Sequence, residues 1–166
     1  MIRIVIAEKQ EMLLEAISSL LNLEEDIEIV GQASNGEEAV ALVHQLRPDV
    51  CILDIEMPVM SGLEAAEALE ACACKVIIIT TFRRDGHYQR ALQANVSGYL
   101  LKDNPSDELA CSIRRIMAGM SIYSPELMDA ASYNQSEQER PAGQAASGAI
   151  RTYLSTIKDK MKAPTG

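Results

Sequence analysis

No apolar run in these 166 residues is longer than a strand, so nothing in the chain offers a membrane-spanning helix. Met1-Ile2-Arg3-Ile4 leads directly into a strand pattern, which reads as the absence of a signal peptide and as a cytoplasmic location. The four cysteines include no C-x-x-C pair; Cys72 and Cys74 are one residue apart, and Cys51 and Cys111 fall inside apolar patterns. Reduced, structural thiols are therefore expected. The two histidines, His44 and His87, have no acid or thiol at metal-binding spacing. Positive charge is scarce: 15 Lys and Arg stand against 24 Asp and Glu, for a net charge of -9. Such a body repels nucleic acid. Only residues 147–166 reverse the sign, with Arg151, Lys158, Lys160 and Lys162 against Asp159.

What is present is a regular alternation. Strand patterns at Ile2–Ala7, Ile27–Val30, Asp49–Leu53, Lys75–Ile79 and Ser97–Leu101 alternate with helical patterns at Gln10–Asn22, 36–46, 62–69, Gly86–Ala94 and Pro105–Ala118. Asn35 is a candidate N-cap with Glu37 and Glu38 behind it, and Pro48 closes that helix. Five βα units with nearly continuous apolar strands predict an α/β fold: a five-stranded parallel sheet of flavodoxin-like topology, order 2-1-3-4-5, covered on both faces. A short helical tail follows. Residues 1–123 form the predicted domain, and 124–146, rich in Ser, Gln, Gly and Ala, read as a linker. Residues 147–166 read as one amphipathic helix with Ile150, Tyr153, Leu154 and Ile157 on one face.

In such a sheet the strand ends converge on one edge, where ligand sites lie. Here they deliver Glu8, Asp54, Thr80 and Lys102. No glycine-rich phosphate loop follows the first strand, where Glu8-Lys9-Gln10-Glu11 stands instead, and no His or Cys accompanies Asp54. An enzyme using this edge is therefore the weaker expectation.

Asp54 with Glu56-Met57-Pro58, Gly62, Thr80-Thr81 and Tyr99-Leu100-Leu101-Lys102-Asp103 together resemble the receiver domain of two-component response regulators. Ala7-Glu8, Thr80-Thr81-Phe82 and Ser124-Pro125-Glu126-Leu127 are most similar to the NarL/LuxR-type transcriptional regulators, of the membrane-lipid desaturase and cell-envelope kind. The resemblance implies that Asp54 accepts a phosphoryl group from a sensor histidine kinase, with Thr80, Tyr99 and Lys102 as switch and phosphate-binding residues. It implies Mg²⁺ held by Glu8, Asp54 and the main-chain carbonyl of Glu56.

Two departures modify that expectation. The family pattern has two acids after the first strand, whereas this chain has Glu8 then Lys9. Exchanging a carboxylate for an ammonium changes the site charge by two units; at ~4 Å and an effective dielectric near 20, each unit interaction is worth roughly 4 kcal/mol before desolvation reduces it. Lys9 is expected to pair with Asp54 or Glu8, leaving Mg²⁺ weakly bound or absent and phosphorylation impaired; the alternative is that Lys9 snorkels into solvent and a weak metal site survives. Second, residues 147–160 resemble the recognition helix of a LuxR-type helix-turn-helix domain, yet only about a dozen polar residues separate Tyr133 from Ser147. That leaves no room for two scaffold helices. Sequence-specific DNA binding is therefore doubtful, and output through protein contacts is expected. The expected form is a homodimer through the first and fifth helices (Leu13, Leu14, Ile17 against Ile113, Ile116, Met117) or through the C-terminal helix. A conventional phosphorylation-activated DNA-binding regulator is the alternative.

Overall fold

The computed structural model of the chain describes residues 1–81, 86–102 and 106–127. Phe82, Asp103, residues 128–146 of the expected linker and the 147–166 helix lie outside these residues.

Six parallel strands form one sheet: β1 (Ile2–Ala7), β2 (Ile27–Ala33), β3 (Val50–Asp54), β4 (Lys75–Thr80), β5 (Gly98–Leu101) and β6 (Ile122–Tyr123), in the order β2-β1-β3-β4-β5-β6. The helices between them are α1 (Glu11–Asn22), α2 (Gly36–Leu46), α3 (Gly62–Ala68), α4 (His87–Gln93) and α5 (Ser106–Met117). The flavodoxin-like order expected from the βα repeats is therefore present, with one strand added at the β5 edge. That strand has two residues, too few to register as a periodic signal.

Each element follows from its residues. The Asn35 side chain accepts a hydrogen bond from the Glu38 amide, and Ser61 does the same for Glu64, so both α2 and α3 begin on a capping residue. β2 runs three residues past its expected end at Val30, because Gly31, Gln32 and Ala33 continue to pair with Val5, Ile6 and Ala7 after a register shift between Ile4 and Val5. Helices cover both faces of the sheet. One face packs Val5, Cys51, Leu53 and Ile78 under α2, α3 and α4; the other packs Ile4, Ile6, Ile52 and Ile77 under α1 and α5. All five residues of β3 are buried, as a central strand in a doubly covered sheet requires.

This packing corrects the expected dimer face. Leu14, Ile17, Ile113 and Ile116 are buried in the core between the helices and the sheet. Of the expected six, Met117 is exposed and Leu13 half-buried; the other exposed large apolar residues here are Met12 in α1, Leu23 just past it and Met120 after α5. Arg114 pins α5 to the α1–β2 turn by a two-pronged contact to Asp26 at 2.8 Å and a further one to Glu24 at 2.7 Å. The expected start of the linker also moves: Ser124 and Leu127 are buried, so the domain extends through residue 127. Among the described residues no helix is long and apolar enough to cross a membrane.

Candidate phosphoacceptor site

The carboxyl ends of β1, β3, β4 and β5 bring four polar side chains into an apolar sheet edge. Glu8 follows β1, Asp54 and Thr80 end β3 and β4, and Lys102 follows β5; all four are buried. Register does the positioning. Asp54 pairs with Ile79, Thr80 pairs with Leu101, and the Lys102 amide donates to the Thr80 carbonyl at 2.7 Å.

Lys102 is the centre of the group. Its Nζ donates to Asp54 Oδ2 at 3.2 Å and lies 2.6 Å from Glu8 Oε2. The contact to Glu8 is a short, buried ion pair, so one ammonium serves both carboxylates. Asp54 is turned by a second contact, since its Oδ1 accepts from the Glu56 amide at 3.4 Å. Burial, then the neighbouring Asp54, pushes the Glu8 carboxyl up to about 7, against the opposing pull of Lys102. Two acids and one ammonium leave the cluster short of positive charge. That is the arrangement that receives a cation or the electrophilic end of a polarised group.

Two glycines let the β3–α3 loop close over this cluster. A Cβ on Gly62 would stand 2.2 Å from the Asp54 carbonyl oxygen, and one on Gly36 would stand 2.5 Å from the Met60 carbonyl. The amides of both glycines use that closeness, bonding to Ile55 and Met60 respectively at 2.9 Å. Between them Val59 takes φ 67°, and the Met60 amide bonds back to the Pro58 carbonyl at 2.7 Å. This is a γ-turn in a conformation that a β-branched residue adopts only under strain. Strain of this kind collects at functional loops.

The residues expected at the site are brought together with one exception. Glu8, Asp54, Thr80 and Lys102 converge, and Tyr99 is buried two residues before Leu101 on β5. Lys9 does not join them. It is exposed, it makes no ion pair among the described residues, and it lines a surface crevice with Gln10, Glu56, Met57 and Pro58. The expected pairing of Lys9 with Asp54 or Glu8 is therefore overturned, because Lys102 already occupies the space between those carboxylates. Around Tyr99 the structure adds partners that periodicity did not single out. Tyr88 and Tyr123 hold their rings 6.2 and 6.1 Å from it.

For Mg²⁺ the donor set is short by one acid. No group of three or more His, Cys, Asp or Glu assembles among the described residues. Glu8 and Asp54 remain, both buried at the sheet edge and both facing the Lys102 ammonium. Two carboxylates plus water suffice for Mg²⁺ in principle, so the residues fit the ion as a minimal site.

Comparison with known proteins bears directly on this geometry. The family model described as response regulator receiver domain matches residues 4–114. The chain is 47% identical, over 181 aligned positions, to the transcriptional regulatory protein DesR of Bacillus subtilis, covering 98% of this chain and 91% of DesR. It is 35% identical to the response regulator protein VraR of Staphylococcus aureus, over 76% of this chain and 62% of VraR. Among solved structures it is similar to a DNA-binding response regulator of the LuxR family from Staphylococcus aureus, with a TM-score of 0.68 and 39% identity over 70% of this chain and 99% of that one. A family match from β1 into α5, on a chain whose strand ends gather an aspartate, a threonine and a lysine, makes one assignment: the chain belongs to the two-component response regulators of the NarL/LuxR type, and residues 4–114 match its receiver domain.

Proposed function

We propose that Asp54 is the phosphoacceptor of this receiver and that a sensor histidine kinase is its donor. The observation that carries the reading is the 3.2 Å contact between Lys102 Nζ and Asp54 Oδ2 in a nearly dry site. Phosphoryl transfer asks the protein for positioning and charge neutralisation more than for proton transfer. Asp54 is oriented from both sides, by Lys102 on Oδ2 and by the Glu56 amide on Oδ1. An O–P bond forms at the carboxylate as the donor's bond to phosphorus breaks. Lys102 then neutralises part of the new charge, Thr80 turns its hydroxyl to the phosphoryl oxygens, and Tyr99 follows Thr80. Intact mass after incubation with acetyl phosphate tests this. A single phosphoryl gain that vanishes in Asp54→Asn supports it, and a gain that persists in Asp54→Asn refutes it.

Glu8, Asp54 and the Glu56 carbonyl would hold Mg²⁺, which supplies further positive charge to the phosphoryl oxygens. Binding is weak in this reading, because the third acid is missing and an ammonium stands at its position. Since Lys9 is exposed, it acts through the field across the crevice and not as a plug. Transfer to Asp54 is slowed accordingly.

Output runs through protein contacts, with a second copy docking on α1, where Met12 and Leu23 stand out around Ala16 and Leu20. Sedimentation of the wild type and of Met12→Lys tests the interface; equal mass distributions would remove it. A DNA-binding output is the second reading, and the extent of the DesR match favours it. Against it stands the internal spacing: the alignment's 181 positions exceed the 166 residues of the chain by 15, so DesR has residues with no counterpart here. Fluorescence anisotropy separates the two, with sequence-dependent, salt-resistant binding deciding for DNA.

A further inference from the structure

After α5 the chain returns to the sheet and grips β5 along its length. The Ile122 amide donates to the Ser97 carbonyl at 2.9 Å, and the Ser124 amide donates to the Tyr99 carbonyl at 2.7 Å. The Ser124 hydroxyl accepts from the Leu101 amide at 3.3 Å in a buried contact, and the Tyr123 hydroxyl donates to the Val96 carbonyl at 2.7 Å. Leu127 is fully buried in the cluster that contains Tyr99 and Leu101. The Tyr123 ring stands edge-on to Tyr88 at 5.7 Å. Each of these contacts lands on β5 or the few residues leading into it, or on Tyr88, which packs beside Tyr99. β5 in turn carries Tyr99 and leads directly into Lys102.

A two-residue strand has little stability of its own. Residues 122–127 hold only because Leu127 and the tyrosine trio anchor them, and β5 has the main-chain groups of Tyr99 and Leu101 satisfied only while they do. The segment and the strand therefore stabilise each other. Lys102 continues from that strand with its amide on Thr80 and its ammonium between Glu8 and Asp54.

We propose that residues 122–127 are a latch energetically coupled to the Glu8–Lys102–Asp54 site, with Leu127 as its anchor and Ser124 as a positioning residue for Lys102. The coupling rests on contacts to β5 and holds whether or not Asp54 is phosphorylated. A change in the charge that Lys102 faces loosens the latch, and loosening the latch displaces Lys102, because coupling between two sites is reciprocal.

Hydrogen exchange on the full chain tests the first direction. Asp54→Asn removes one charge from Lys102, with Glu8→Gln, which removes the other, as the replacement variant should Asp54→Asn not fold. Arg114→Ala, which breaks the contacts to Asp26 and Glu24, controls for general loss of stability. Exchange in a peptide spanning 120–127 is expected to rise about fivefold or more in the site variant relative to the control at matched melting temperature. The second direction is read by NMR. Ser124→Ala is expected to shift the amide resonances of Thr80 and Lys102, and Ser124→Thr, which keeps the hydroxyl, to restore them. Equal exchange in site variant and control, or resonances unmoved in Ser124→Ala, overturns the latch. Failure of Asp54 to take up phosphate leaves both measurements intact, so the two readings fail separately.

Discussion

The ammonium of Lys102 lies 2.6 Å from the Glu8 carboxylate, and both groups are almost wholly removed from water. Asp54 shares the same ammonium at 3.2 Å. Removing one partner of a buried ion pair costs more than the pair contributes, because the survivor is left charged in a dry site. Lys102→Met is therefore expected to destabilise the chain by roughly 3 kcal/mol or more at pH 8. The loss should shrink at pH 5, where the stranded carboxylates take up protons. Urea unfolding at the two pH values checks this. Adding Glu8→Gln to Lys102→Met should recover part of the loss at pH 8; a double variant no more stable than the single one would mean that Glu8 and Lys102 do not act as a pair.

Glu8 makes stability depend on pH in a direction opposite to the usual carboxylate. Its folded value of about 7 stands above its ordinary value of 4.5, because burial and Asp54 favour the neutral form. Between those values the folded chain keeps a proton that the unfolded chain releases. The contribution is complete below about pH 4.5 and is lost as pH rises through 7. From pH 5 to 7.5, without divalent ions, Glu8 should remove about 2 kcal/mol of stability. Asp26, held down at about 2 by Arg114, titrates below that window. Denaturant midpoints across the range, compared between wild type and Glu8→Gln, isolate the effect: the variant should show the flatter curve.

The sheet order and the convergence of Glu8, Asp54, Thr80 and Lys102 were legible in the sequence because both follow from repetition. Doubly buried strands must be continuous apolar runs, and a polar residue that ends such a run must stand at the sheet edge. The pairing expected of Lys9, as against its solvent-exposed alternative, failed for a physical reason. Position after a strand fixes where a backbone goes, whereas the destination of a long flexible side chain depends on which cation already fills the space, and Lys102 fills it. The latch was illegible for a different reason. Ile122-Tyr123 is too short to show a period, and burial of Leu127 depends on a docking partner, β5, that lies more than twenty residues away. The same holds for the expected dimer face: helical spacing identified Leu14 and Ile17 as apolar, but the sheet took them for the core.

Restoring the missing acid should restore the metal. Lys9→Asp gives the crevice beside Asp54 a third carboxylate and removes an ammonium. One quarter of a unit-charge interaction at ~4 Å is roughly 1 kcal/mol, about a fivefold change in affinity, and the substitution changes the charge by two units. Mg²⁺ affinity by isothermal titration is therefore expected to rise about tenfold or more in Lys9→Asp. An unchanged affinity would mean that the exposed ammonium contributes nothing to the weakness of the site.

Gly62 is the residue whose replacement should damage Asp54 from behind. A Cβ there meets the Asp54 carbonyl oxygen at 2.2 Å, a main-chain atom of a fully buried strand with little freedom to move. Gly62→Ala is expected to cost about 1–3 kcal/mol, the range for overpacking a rigid site. It should also slow labelling of Asp54 by acetyl phosphate in the fraction that remains folded. Gly119, whose Cβ would meet nothing within 4 Å, takes φ 100°, so Gly119→Ala tests backbone strain without a clash. If the two substitutions slow labelling equally, steric displacement of Asp54 is not the cause.

Val59 offers the opposite case, a position where a smaller residue should improve the fold. It is exposed, so its side chain contributes little burial, yet its φ of 67° places a β-branched side chain in the left-handed region. Val59→Gly removes that strain, of order 1–3 kcal/mol, and gives back up to about 1 kcal/mol through the greater freedom of glycine in the unfolded chain. The strain is the larger quantity, so a net gain of about 1 kcal/mol is expected, read as a higher denaturant midpoint with an unchanged slope. The gain has a cost at the site if the turn holds the β3–α3 loop rigid over Asp54. The Met60 amide bonds within this loop and the Gly36 amide of α2 bonds onto it, and a freer residue 59 loosens both. Labelling of Asp54 should then slow while stability rises. A Val59→Gly variant that is less stable than the wild type would show that the γ-turn carries no strain.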